Sequence, residues 1–256
     1  MRFACLGSGS EGNAVIVEAG PTRVLVDCGF PLRETIFRLA RLGIEPESLD
    51  GIVVTHEHAD HVSGVPPLAA RFDLPVWLTF GTLAASFERF EGLWGLNAID
   101  SHEGFAIGAL RFEPIAVPHD AREPVQFVCT DGAWRLGILT DLGMPTPYVE
   151  MRVSGCHGLL LECNHDADLL ASGDYPHSLK QRIAGRYGHL DNGSAAAILS
   201  RIERARLQHV VAAHLSRDNN RPDLARAALA SALDCAPEWI GVADQSDGLE
   251  WRAFVA

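Results

Sequence analysis

The sequence predicts an α/β protein built as one layered domain, in which helices cover sheets. Short apolar runs alternate along the chain with longer amphipathic runs, as strands and helices do in layered α/β proteins. The 256 residues are enough to bury a substantial core, and no low-complexity tract or long linker divides them. We therefore treat residues 1–256 as a single domain.

The predicted strands are short, rich in Val, Ile and Leu, and bounded by turn residues. They are Arg2–Leu6, Ala14–Glu18, Arg23–Val26, Gly51–Thr55, Val76–Thr79, Leu110–Val117, Val125–Thr130, Arg135–Thr140, Gly158–Glu162, His209–Ala213 and Leu249–Phe254. Residues 7–13 (GSGSEGN) lack the Gly-Lys-Ser/Thr ending of a phosphate-binding P-loop. We expect them to form a tight hairpin turn near the functional site.

The predicted helices carry apolar residues at helical spacing and recognisable first turns. Asn192 is the predicted N-cap of one helix, and Pro222 suits the first turn of another. The helices are Leu32–Leu42, Leu68–Phe72, Thr82–Arg89, Pro147–Arg152, Ser178–Tyr187, Asn192–Ala205 and Pro222–Asp234.

Charge and composition restrict the classes of function. The formal net charge of −12 repels nucleic acid overall, so a nucleic-acid substrate would require a local basic face or bound cations. No apolar run approaches the roughly 20 residues of a membrane span, and the N-terminus lacks the apolar core of a signal peptide. The six cysteines form no C-x-x-C pair. We expect reduced thiols, a cytoplasmic location and no membrane partner.

Several predicted strands are followed directly by a residue that can bind a metal. Asp27, the segment 56–61, His119, Asp141 and His214 each follow such a strand, and GLLLEC precedes Asn164-His165-Asp166. In open α/β sheets, ligand sites collect in the loops beyond strand ends. This recurrence predicts one site built from several strands.

The segment HEHADH is the most specific motif in the chain. It offers four nitrogen or oxygen donors within six residues, namely His56, His58, Asp60 and His61. Such donors suit zinc, manganese or iron. The alternative interpretation is a polar loop with surface histidines.

His119, Asp141 and His214 are less informative on their own, because a lone histidine or a lone Asp before Gly is usually structural. One metal needs three or four protein ligands, and HEHADH cannot complete two sets. If two metals bind, the distant strands must contribute ligands.

Together these residues resemble the metallo-β-lactamase superfamily. The resemblance rests on His56-Glu57-His58-Ala59-Asp60-His61 and on the later residues just described, in the same order along the chain. It implies a four-layer αβ/βα sandwich of two mixed sheets with outer helices, and it implies two divalent metal ions, commonly zinc and in some members manganese or iron. The implied ligands are His56, His58 and His119 for one ion and Asp60, His61 and His214 for the other, with Asp141 bridging both and Asp27 orienting the ligands.

Further segments are similar to a bacterial subgroup called YycJ- or WalJ-like, which is related to the nuclease branch of the superfamily. They are LGSGSEGNA, VPHDAREPVQF, LECNHD, YPHSLKQRIAGRYGHLDN and HLSRDNN. Members of that subgroup commonly have Ser where this chain has Asp191, and often Gly where it has Gln126. Both departures concern substrate contacts more than the metal site.

The leading hypothesis is a dinuclear metal-dependent hydrolase, specifically a phosphodiesterase or nuclease that cleaves DNA or RNA by attack of a metal-bridging hydroxide. Asp60 is expected to orient the water or accept a proton. His189 is the candidate general acid or phosphate contact, and a helix start at Asn192 would favour a bound phosphate. His165 is a second candidate close to the ligands. Structural roles for His189 and His165 are the alternatives.

Residues 177–206 are basic within an acidic protein, with Asp191 and Glu203 as their acidic residues. We expect Arg182 and Arg186 to contact a nucleic-acid substrate. The alternative is a pair of amphipathic helices with solvated basic faces. The basic residues are Lys180, Arg182, Arg186, Arg201, Arg204 and Arg206.

Two other classes of function fit the metal motif. A thioesterase or another hydrolase of small carbonyl substrates could use the same metals as Lewis acids. A non-catalytic metal-binding regulatory protein could keep the fold, although the ligand set is complete here. The sequence gives no oligomeric state.

Overall fold

A computed structural model describes all residues, 1–256. Two seven-stranded mixed sheets pack face to face, with helices on their outer faces, so the predicted four-layer sandwich is confirmed. The strands are β1 Arg2–Gly7, β2 Ala14–Ala19, β3 Thr22–Val26, β4 Gly51–Val53, β5 Val76–Thr79, β6 Leu96–Ile99, β7 Phe105–Ile107, β8 Leu110–Ala116, β9 Val125–Thr130, β10 Arg135–Leu139, β11 Gly158–Glu162, β12 His209–Ala213, β13 Gly241–Val242 and β14 Leu249–Ala253.

The helices connect and cover these strands, and Pro46–Ser48 and Pro237–Trp239 form short 3₁₀ turns. None of the helices has the length and apolar character needed to cross a membrane. The α-helices are α1 Leu32–Arg41, α2 Ala59–Val62, α3 Val65–Phe72, α4 Phe80–Ala85, α5 Phe87–Phe90, α6 Pro147–Val153, α7 Ala167–Ser172, α8 His177–Ile183, α9 Asn192–Arg201 and α10 Pro222–Leu233.

The two sheets follow the same pairing pattern. The first has the order β14-β1-β2-β3-β4-β5-β6, antiparallel from β14 to β3 and parallel from β3 to β6. The second has the order β13-β12-β11-β10-β9-β8-β7, antiparallel from β7 to β10 and parallel from β10 to β13. The carboxyl ends of parallel neighbours lie at the same sheet edge, where their loops can meet.

Alternation of side chains along each strand explains the layers. In β1, Phe3 and Cys5 face the core between the sheets, whereas Ala4 and Leu6 face the helices. Because successive side chains in a strand point to opposite faces, a strand that is apolar throughout can fill two cores at once. The second sheet likewise buries Phe127 inward and packs its outer face beneath helices.

Several predicted elements differ from the structure. The single helix predicted over Thr82–Arg89 is two short helices, because Ser86 leaves the helical conformation with φ −123° and ψ 22°. The N-cap of α9 is Asp191 and not Asn192, since the Asp191 carboxylate accepts the backbone N–H of Ser194. Strands β6, β7 and β13 and helices α2 and α7 were not predicted, because they are too short to show a clear period.

Candidate metal centre

The first group of donors is His56, His58 and His119, whose donor atoms all lie within 4.8 Å of one another. His56 and His58 follow β4, and His119 follows β8 of the opposite sheet. The Nδ1 of His119 donates a hydrogen bond to the carbonyl of Gly188 at 2.9 Å, so Nε2 is the ring nitrogen left for a ligand. The group therefore joins the two sheets.

The second group is Asp60, His61 and His214, which meet the same distance limit. The short helix α2 starts after His58 and places Asp60 and His61 on the side of the site, while His214 follows β12. The Nε2 of His214 lies 3.2 Å from Asp60 Oδ2. The Nδ1 of His61 donates to Asp27 Oδ2 at 2.8 Å, which leaves its Nε2 for a ligand.

Asp141 lies between the two groups. Its Oδ2 is 3.0 Å from the Nε2 of His61, and its Oδ1 is 3.7 Å from His119 Nε2 and 3.8 Å from His214 Nε2. The residue is 1% exposed. A single buried carboxylate is thus within reach of both groups.

Asp27 holds the first-sheet side of the site together. Its carboxylate accepts hydrogen bonds from the backbone N–H and the hydroxyl of Thr55, each at 2.8 Å, in addition to the bond from His61. The Thr55 hydroxyl also lies 3.0 Å from His56 Nδ1. Asp27 therefore orients His61 directly and His56 through Thr55.

Two residues of the site adopt the left-handed backbone conformation that L-residues rarely occupy. Asp27 has φ 61° and His214 has φ 53°, and each follows directly on the end of a strand. Such a residue costs on the order of 1–3 kcal/mol and persists where the surroundings enforce it. The turn redirects each side chain from the strand into the site.

The loop between β1 and β2 forms the predicted hairpin and lies against the second group. The Asn13 amide is 3.1 Å from His61 Nε2 and 3.3 Å from Asp60 Oδ2. Gly29 packs so closely that an added Cβ would overlap the carbonyl oxygen of Asp60. The position of Asp60 thus depends on this close approach of backbone segments.

The charges of the donors are strongly coupled. Burial opposes the charged form of His61, but Asp141, Asp60 and Asp27 outweigh it and hold the pKa of His61 well above its usual range. Burial also opposes ionisation of Asp141, yet the neighbouring His214 and His61 hold its pKa well below the usual range. Without cations, protons on imidazoles neutralise these carboxylates.

The arrangement fits metal ions. The Nε2 of His56 is buried without any hydrogen-bond partner. A buried polar atom without a partner is costly, and a cation bound there would satisfy it. The donors are imidazoles and carboxylates without thiolates, which suits borderline divalent metals.

His189 stands at the edge of the centre and is paired with Glu162. Its Nδ1 donates to Glu162 Oε1 at 2.6 Å, and its ring stacks on that of His214 at 5.2 Å between centroids. Burial disfavours the charged form of His189, but Glu162 outweighs it and raises the pKa of His189 to about 9. His189 is therefore protonated at neutral pH.

Glu162 was not predicted from the sequence: it lies in the LECNHD segment, but a carboxylate at the end of an apolar strand does not reveal its partner, His189. It is fully buried, and its Oε2 accepts the backbone N–H groups of Leu142 at 2.7 Å and Leu190 at 3.3 Å. Glu162 and His189 also lie within donor distance of Asp141 and His214. We regard Glu162 as a support for His189 because hydrogen bonds already occupy both of its oxygens.

A central cavity of about 400 Å³ opens onto these groups. Its walls include His58, Asp60, Asp141, His189 and His214. Arg182 lies at the same cavity, and its Nε donates to the Asp120 carboxylate at 2.8 Å. Arg182, one of the predicted substrate contacts, thus lies at the cavity, where Asp120 already pairs with its guanidinium.

The other predicted contacts are distributed differently. Asn192 is buried and its amide exchanges hydrogen bonds with that of Asn220, so these bonds occupy its side chain within the fold, and its contact with a substrate stays a prediction. His165 makes no hydrogen bond to the metal donors, and Arg186 lies at a neighbouring cavity. Of the remaining basic stretch, Arg201 pairs with Glu150 on another face.

Comparison with known proteins agrees with this geometry. Residues 22–214 match the family described as "Beta-lactamase superfamily domain". The chain is 34% identical to the exodeoxyribonuclease YycJ of Bacillus anthracis over 242 residues, which cover 91% of this chain and 89% of that protein. It is 32% identical to the exodeoxyribonuclease WalJ of Streptococcus pneumoniae (strain D39) over 251 residues, which cover 94% of this chain and 91% of that protein.

Among solved structures, the metallo-β-lactamase fold protein YhfI of Bacillus subtilis superposes with a TM-score of 0.77. It covers 98% of this chain and 99% of its own, at 16% sequence identity, so the likeness concerns the fold. The family match and the two relatives show that the chain belongs to the β-lactamase superfamily. The superposition shows that it has the metallo-β-lactamase fold.

Proposed function

We propose that the protein is a metal-dependent nuclease that hydrolyses phosphodiester bonds of DNA or RNA. The observation that carries this proposal is the meeting of the two donor groups at Asp141, with His189 and Glu162 beside them. The names of the two full-length relatives, both exodeoxyribonucleases, support the same substrate class.

His56, His58 and His119 would hold one divalent ion and Asp60, His61 and His214 the other, with Asp141 shared. Zinc is the expected metal, and manganese or iron also suits these donors. The chemistry that two such ions supply when bound is neutralisation of phosphate charge and activation of water at neutral pH.

The residues around the ions would orient and protonate the reactants. Asp60 lines the cavity, and its pKa is lowered because His61 and His214 outweigh its burial, so it suits orienting water better than accepting a proton. The oxygen of that water bonds to phosphorus, and its proton passes to solvent. The bond from phosphorus to the leaving oxygen breaks.

His189 would supply the proton that the leaving oxygen takes up. Glu162 binds its Nδ1 and keeps the ring protonated, so Nε2 is the nitrogen available for donation at the cavity. An alkoxide leaving group needs a proton, which this protonated imidazole can supply, whereas the thiolate released from a thioester needs none. The presence of such an acid therefore favours a phosphodiester over a thioester as the substrate.

The test is hydrolysis of bis(p-nitrophenyl) phosphate with and without added Mn²⁺ or Zn²⁺, with the wild type beside His58→Ala. We expect metal-dependent turnover that the variant loses, followed by cleavage of labelled single-stranded DNA or RNA. Absence of turnover with either metal, in protein containing two ions, would refute the phosphodiesterase and favour a carbonyl hydrolase.

A further inference from the structure

A second cavity, of about 610 Å³, adjoins the central cavity across His189, whose ring lines both. Helix α8 and the following loop form one wall through His177, Lys180 and Arg186. The segment after β11 contributes His165 to the opposite side. We call this space the cationic cavity.

The cations of this cavity are largely free to meet an anion. Arg186 makes no ion pair, and Lys180 donates only to the backbone carbonyl of Ala171. Asp191 is the sole acidic residue of the lining, and its carboxylate is engaged by the backbone N–H and hydroxyl of Ser194. Lys180 and Arg186 therefore outnumber Asp191 in this lining, within a chain of net charge −12.

His165 gives an independent indication of a ligand. It is 3% exposed, its Nδ1 is buried without a partner, and its side chain makes no hydrogen bond although it lines the cavity. A buried imidazole with unused hydrogen-bonding capacity is costly unless something occupies the adjoining space.

Another side of the central cavity has the reverse charge. Ser10 and Tyr175 line both the central cavity and a third one of about 710 Å³. The charged residues there are Glu11, Asp218 and Asp244 with Arg217, which pairs with Glu11 at 3.4 Å. A polyanion leaving the central cavity is therefore attracted to the His189 side and repelled from the other.

We infer that the cationic cavity binds a phosphate group of the nucleic-acid strand adjacent to the phosphate being cut, with Lys180 and Arg186 as its contacts. The inference rests on the proposed function, and it specifies the direction in which the nucleic-acid strand leaves the central cavity. The strand continues past His189 along α8. A small diester with a single phosphate does not reach this cavity.

Binding of a fluorescently labelled 12-nucleotide single-stranded DNA to the full-length, metal-free protein tests this, measured by anisotropy across a salt series. Lys180→Ala and Arg186→Ala are each expected to weaken binding about fivefold. Each should also reduce the slope of log affinity against log salt by about 0.7, the contribution of one phosphate contact on a single strand.

Arg206→Ala is the matched control, because it removes the same charge from the exposed segment after α9. It should leave affinity and slope unchanged. Unaltered binding by both cavity variants, an equal loss in the control, or no binding by the wild type would each overturn the inference.

A kinetic split separates this inference from the proposed function. In the metal-loaded enzyme, both cavity variants should raise KM for the oligonucleotide about fivefold and leave KM for bis(p-nitrophenyl) phosphate unchanged. Failure of the wild type to hydrolyse either substrate would refute the proposed function, while the binding comparison would still decide whether the cavity holds a phosphate.

Discussion

The two sheets supply the donors of the candidate metal centre in different ways. The first sheet provides four donors from one loop after β4, within residues 56–61. The second provides single donors at three strand ends, His119 after β8, Asp141 after β10 and His214 after β12. A contiguous motif sets one half of the site locally, whereas the other half exists only when the strands are in register. The shared Asp141 belongs to this second, distributed half.

The largest expected effect comes from that shared carboxylate. Asp141→Ala should lower metal occupancy below one ion per chain and reduce phosphodiester hydrolysis by more than about 100-fold, because it removes a donor from both groups. Metal content by elemental analysis and turnover of bis(p-nitrophenyl) phosphate measure the two effects.

His58→Ala is the comparison from the contiguous loop, and it should retain about one ion because it affects one group only. Equal metal loss in the two variants would contradict the shared role of Asp141.

A smaller effect, about 100-fold in turnover with unchanged metal content, is expected for His189→Ala. Glu162→Gln should slow turnover less, because a neutral amide still contacts the ring but no longer favours its protonated form. The fall of activity at alkaline pH should then move to lower pH, since the carboxylate raises the pKa of His189 to about 9. Loss of metal in either variant would instead make these residues ligands.

Metal binding should depend on pH by up to about tenfold per pH unit for each proton displaced. The carboxylates around His61 outweigh its burial and raise its pKa well above the usual range, so the metal-free protein carries that proton at neutral pH. The bound metal must displace it, and affinity should therefore rise with pH and fall in acid. Calorimetric titration in buffers with different ionisation heats measures the released protons, and zero release would contradict the assignment.

The smallest expected effect is a change in stability, and it comes from relieving backbone strain at Asp73, outside the site, in comparison with His214 inside it. Asp73 has φ 54° at the end of α3, in the same left-handed region as His214. Asp73→Gly relieves that strain and should stabilise the fold by roughly 0.5 kcal/mol, raising Tm by about 1–2 °C. His214→Gly relieves similar strain but removes a metal donor. A lower Tm for Asp73→Gly would show that the left-handed turn costs little here.

Sequence and structure agree most closely where the chemistry is local. The alternation of apolar and amphipathic runs predicted the layered α/β fold, and the resemblance to the metallo-β-lactamase superfamily implied the four-layer sandwich. The loop at 56–61 and the recurring strand ends predicted the donors that the structure brings together. Glu162 and Asn13 escaped prediction because their roles depend on neighbours distant in sequence, His189 for one and His61 for the other. Asn192 was misplaced by one position, since both Asp191 and Asn192 can cap a helix and only the backbone decides between them.

Electron paramagnetic resonance of the protein loaded with Mn²⁺ tests the central claim most directly, because two ions sharing one carboxylate are magnetically coupled. We predict two Mn²⁺ ions per chain with an exchange-coupled spectrum that is lost in Asp141→Ala. A spectrum of isolated Mn²⁺, or binding of a single ion by the wild type, would contradict a two-metal centre built around Asp141.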